Sequence, residues 1–152
     1  MKKIFVLFIL FILNSCGYQP IYLNDNIKNV EFLKITSDGD ESVNRQILNF
    51  TNIKENKKDK TLNELLINSS YEIQETSKNT KGQVDTYRSK IVVNFEVKKD
   101  EKLIKNKTFT EFFDYNNKDT RFELISYQKD MKETLINKIS EDIIFFLTYN
   151  DN

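Results

Sequence analysis

Between residues 87 and 98 apolar and polar side chains alternate. Tyr87, Ile91, Val93, Phe95 and Val97 share one parity, and Arg88, Lys90, Asn94, Glu96 and Lys98 the other, with Val92 as the exception. A two-residue period is that of a strand with one face buried and one wet. The same period runs through 65–76, where Leu65, Ile67, Tyr71 and Ile73 oppose Asn68, Ser70, Glu72 and Gln74. It returns over 103–115, where Leu103, Phe109, Phe113 and Tyr115 share a parity. Residues 78–83 contain Gly82 and predict a longer hairpin loop, while 99–102 predict a tight turn. Three strands joined by such short connections run antiparallel.

Two segments carry the helical period instead. Asp40 stands where it can cap a helix in which Val43, Ile47 and Phe50 recur at intervals of three and four. Thr120 and Glu123 form a capping box, and from there Leu124, Tyr127, Met131, Leu135, Ile139, Ile143 and Phe146 make one long apolar stripe, ended by Leu147 and Tyr149. Ahead of the first helix, residues 27–36 hold Val30, Phe32, Leu33 and Ile35 without Gly or Pro, the composition of a first strand, and residues 37–40 are expected to break it. The charge run 57–60 predicts a solvated loop.

The order strand, helix, three strands, helix predicts an α+β fold. Its economical form is a two-layer sandwich, with a four-stranded, mainly antiparallel sheet and both helices on its apolar face. The opposite face is polar and free to meet a partner. A chain of 152 residues suffices for one such domain, expected over 27–150.

The first sixteen residues obey another logic. Lys2 and Lys3 precede an apolar run over 4–13, and Leu13, Asn14, Ser15 and Cys16 follow it. This is an export signal ending in a lipoprotein processing site, in which Leu13, Asn14 and Ser15 form the lipobox and Cys16 is the lipidated residue. Ten apolar residues rise only about 15 Å as a helix, half the hydrocarbon thickness, so a cleaved leader over 1–15 is expected rather than a membrane span. A cysteine carrying two or more acyl chains anchors a protein stably without spanning the bilayer. Gly17 offers no acidic retention signal for the inner membrane, so the expected site is the periplasmic face of the outer membrane. Cys16 is the sole cysteine, hence no disulfide supports the fold. Pro20 keeps Gln19 extended, which makes 16–26 a tether.

Charge and residue inventory narrow the function. The chain has 23 basic and 23 acidic side chains; removal of Lys2 and Lys3 with the leader leaves 21 against 23, a net of −2. Such a chain lacks the basic balance of a nucleic-acid-binding domain. There is no histidine and, once Cys16 is acylated, no free thiol, so triads built on histidine and the common zinc sites are absent. The acid pairs Glu141–Asp142 and Asp100–Glu101 fit solubilising charges better than a general acid and base, because helical neighbours diverge by about 100° and a turn is wet. The three glycines, at 17, 39 and 82, make no phosphate loop. A non-enzymatic protein without cofactor or metal is expected.

The segment Cys16-Gly17-Tyr18-Gln19-Pro20-Ile21-Tyr22, with this length and element order, resembles the start of alphaproteobacterial members of the LptE family of lipopolysaccharide-assembly lipoproteins. Asn14 departs from the usual lipobox. The resemblance implies an α/β sandwich that plugs an LptD-type outer-membrane β-barrel and assists delivery of lipopolysaccharide. It also implies a cationic face for lipid A phosphates. Arg88 and Lys90, with Lys105 and Lys107 on the next strand, are the candidates, against the alternative of an ordinary solvated strand face. A structural or assembly lipoprotein of another outer-membrane complex, serving protein folding or secretion, remains the competing reading, because fold does not determine function.

Overall fold

The computed structural model describes residues 30–149. The leader, the lipobox, Cys16, the tether over 16–26, residues 27–29 of the expected first strand and residue 150 lie outside them.

The chain forms β1 (Glu31–Phe32), β2 (Lys34–Gly39), α1 (Glu41–Phe50), β3 (Lys54–Glu55), β4 (Glu64–Lys78), β5 (Val84–Lys99), β6 (Lys102–Asn116) and α2 (Arg121–Tyr149). The main sheet has the order β2-β4-β5-β6, with β2 parallel to β4 and the other pairs antiparallel. This is the expected α+β sandwich with a mainly antiparallel sheet. The helices pack on each other and on the sheet face carrying Leu65, Ile67, Ile91, Val93, Phe95 and Val97.

The first strand differs from expectation. It divides at Leu33 into β1, which pairs in parallel with the short β3, and β2, which continues through Ser37 and Asp38 to Gly39. The stretch 37–39 therefore extends the sheet instead of breaking it. Gly39 takes φ +81°, and a Cβ there would stand 2.0 Å from the Ser69 carbonyl oxygen, so the close parallel crossing requires glycine. Asp40 then caps α1, its carboxylate accepting from the Val43 N–H at 3.0 Å. The helix stops at Thr51, whose hydroxyl donates to the Ile47 carbonyl at 2.8 Å, and Asn52 follows at φ 53°.

The two long hairpins are tied locally. Asn79 Oδ1 accepts from the N–H groups of Lys81 and Gln83 at 2.9 and 3.0 Å, with Gly82 at φ 79°. Between β5 and β6, Asp100 and Glu101 both have positive φ, as a two-residue type I′ turn requires. The capping box also forms. The Glu123 N–H donates to Thr120 Oγ1 at 3.2 Å, and the Thr120 N–H donates to Glu123 Oε2 at 3.2 Å.

Two core assignments need correction. Phe50 is 42% exposed; Asn44 and Thr51 take the inward positions beside Val43 and Ile47. Asn44 earns its place by donating through Nδ2 to the Asp38 carbonyl at 2.6 Å. Leu103 does not share the face of Phe109. A register shift places Lys105 opposite Val97 but Leu103 opposite Lys98, leaving Ile104 as the extra residue of a bulge and moving Leu103 to the other side.

Candidate functional site

The helix-free face of the sheet presents crosswise rows set by register. Gln74, Arg88 and Asp114 form one, and Glu72, Lys90 and Phe112 the next. Arg88 donates from Nε and Nη2 to the two oxygens of Asp114 at 2.7 and 2.8 Å, while its guanidinium lies 4.4 Å from the centre of the Phe112 ring. The bidentate bond pulls the Asp114 carboxyl below the usual carboxylate range and raises Arg88. Lys90 stands 3.7 Å from Glu72. Arg88 and Lys90 thus share the polar face, as alternation indicates, yet each has a carboxylate on the neighbouring strand. An incoming phosphate must compete with that partner.

Lys105 and Lys107 are not part of this group. They are opposite Val97 and Phe95 on the helix side of the sheet. Lys105 Nζ lies 5.2 Å from the Phe146 ring centre, and Lys107 Nζ lies 4.9 Å from that of Phe109. The sheet separates them from Arg88 and Lys90, so the four cations form no single patch. The signal was present in the sequence: both lysines have the parity of Phe109 and Tyr115.

On the helix side a polar node joins sheet and helices. Asp40 receives Lys132 Nζ from α2 at 3.1 Å, and the same ammonium lies 4.7 Å from the Tyr71 ring centre. Burial pushes Asp40 up, but the Val43 and Ser42 N–H groups and Lys132 outweigh it and hold the carboxyl below its ordinary value. The Tyr71 hydroxyl is 3.2 Å from Ser89 Oγ, which donates to the Tyr115 hydroxyl at 3.2 Å. Burial raises Tyr71. These hydroxyls satisfy one another across β4, β5 and β6, while the Lys132–Asp40 pair ties α2 to the start of α1.

Alternation did not disclose the exposed apolar side chains at the ends of the domain. Leu103 and Ile104 project beside the β5–β6 turn, while Ile73 and Phe113 lie towards the other end of the sheet and Phe122 and Ile125 near the start of α2. Consecutive pairs such as Leu103–Ile104 and Phe112–Phe113 break the strand period, and that break was the available clue. Among the described residues no group of three or more acidic side chains is placed to hold a metal ion, and no helix is long and apolar enough to cross a membrane.

No protein-family model matches the chain, and no curated protein matches it significantly. Solved structures do. The rare lipoprotein B from Shewanella oneidensis is similar with a TM-score of 0.59 and 16% identity, over 75% of this chain and 92% of that one. Lipoprotein B from Nitrosomonas europaea is similar with a TM-score of 0.55 and 12% identity, over 83% and 88%. A neuraminyllactose-binding hemagglutinin homolog from Helicobacter pylori has a TM-score of 0.55 and 12% identity, over 87% and 90%. At these identities the likeness shows the fold alone. It is a fold that bacterial lipoproteins use, spanning nearly the whole of each, and a fold does not by itself determine function.

Proposed function

We propose that this chain is a lipid-anchored, non-enzymatic subunit of the outer-membrane lipopolysaccharide translocon. In this reading it is held at the periplasmic face of the outer membrane and occupies an LptD-type β-barrel. The observation that carries the reading is the segment from Cys16 to Tyr22 directly after an export signal. The fold, one used by bacterial lipoproteins, supports it. So does the character of the helix-free face. The interior of a transmembrane barrel is polar, and a plug must meet it with satisfied charges rather than an oily surface. The rows Glu72–Lys90 and Arg88–Asp114 offer paired charges of both signs around one aromatic side chain, Phe112, which is 52% exposed. A buried aromatic anchor within a polar surround is the usual composition of an interface centre.

Contact with lipopolysaccharide phosphates is assigned to Arg88 and Lys90, with Asp114 and Glu72 as their internal competitors. The competition has a sign that can be measured. Purified lipoprotein with Arg88→Gln and Lys90→Gln is expected to bind lipopolysaccharide about tenfold more weakly, the scale of one charge-assisted contact. Asp114→Asn, which frees the guanidinium, is expected to strengthen binding several-fold. Unchanged affinity in both variants, with unchanged melting, removes these residues from the ligand site and leaves the face to protein contact.

A further inference from the structure

We infer that the end of the domain formed by the β5–β6 turn stays outside the proposed barrel and rests on the anionic phospholipid surface to which the chain is tethered, an inference that depends on Cys16 being the lipid anchor. Val30, the first described residue, lines an open groove together with Ile104, Lys105 and Leu147, so the chain enters the domain beside this turn. Cys16 is fourteen positions upstream (30 − 16). At no more than about 3.5 Å per residue, the entry point is held within about 50 Å of the bilayer. The loop around Gly82 lies at the opposite end of β5, a strand of 16 residues that puts it a further ~50 Å away.

The chemistry of the near end suits a lipid interface. Leu103 and Ile104 are each 53% exposed, and the bulge turns them to different sides of the ribbon. The charged tip, Lys99, Asp100, Glu101 and Lys102, suits the headgroup layer, and the two apolar side chains directly behind it, on different sides of the ribbon, are not both covered by docking on one flat protein surface. Around these two, residues 96–107 hold five lysines, at 98, 99, 102, 105 and 107, against Glu96, Asp100 and Glu101, a local charge of 5 − 3 = +2 in a mature chain of net −2, with Lys98 paired to Glu96 at 3.1 Å. Lysines beside a short apolar wedge are attracted by anionic headgroups while the wedge enters the acyl boundary.

The test uses the full lipoprotein in vesicles of phosphatidylethanolamine and phosphatidylglycerol. Leu103→Cys and Ile104→Cys each receive a nitroxide, which acylated Cys16 cannot take, and Lys81→Cys in the far loop is the control. Power saturation is expected to show labels at 103 and 104 several-fold more accessible to dissolved oxygen than to a water-soluble nickel chelate, with the reverse at 81. Labels at 103 and 104 that meet nickel as freely as the control, or that are shielded from both reagents by protein, overturn the inference while the anchor stands. Protein that fails to float with the vesicles overturns the anchor and this inference together.

Discussion

Replacing Cys16 with serine is expected to abolish incorporation of labelled fatty acid and to remove the protein from the outer-membrane fraction, by more than tenfold. Serine cannot form the thioether on which acylation and leader cleavage depend. The anchor is strong because burial of each CH₂ contributes roughly 0.8 kcal/mol, so two or more chains hold where one is marginal. Among the described residues no helix is long and apolar enough to cross the bilayer. Fractionation of both membranes with N-terminal mass analysis checks this. Outer-membrane protein that retains Met1 and carries no acyl chain contradicts the lipoprotein reading.

The second large effect lies in the core. Phe95→Ala is expected to destabilise the domain by about 3–5 kcal/mol, the transfer and cavity cost of removing a fully buried ring. Phe95 is 0% exposed in the second half of β5 and meets Phe146 edge-on at 6.3 Å; Phe146 in turn meets Phe109 at 5.9 Å. One ring thus ties α2 to two strands. A domain of ordinary stability, about 5–15 kcal/mol, survives this change narrowly or not at all. Phe50→Ala is the control, since at 42% exposure it is expected to cost under about 1 kcal/mol. Urea unfolding of both variants separates the two, and equal shifts would contradict the packing described.

The contrast between Phe95 and Phe50 also shows what local pattern can disclose. Alternation identified the inward side of β5 because that strand lies mid-sheet, with one face under the helices. The capping box at Thr120 and Glu123 was equally legible, being made within four residues. Phe50 was misleading because α1 turns Asn44 and Thr51 inward, where their side chains bond nearby carbonyls. Leu103 misled for a different reason. A bulge at Ile104 reverses the parity of everything on its turn side, and no periodicity reveals a bulge before the partner strand is known. The four candidate cations divide between two faces of the sheet, because Lys105 and Lys107 fall in phase with Phe109. The parallel pairing of β2 with β4 depends on contacts between distant segments, and hydropathy carries no record of strand order.

The central claim is that this chain works as a lipid-anchored protein inside a barrel. Its most direct test is to extract native membranes in mild detergent, purify the tagged full-length protein, and identify what accompanies it by mass spectrometry, using a detergent that keeps another outer-membrane complex intact in the same preparation. The account predicts a stoichiometric β-barrel of the lipopolysaccharide-transport type. Stoichiometric recovery with a different outer-membrane complex, such as one serving protein folding or secretion, would contradict it.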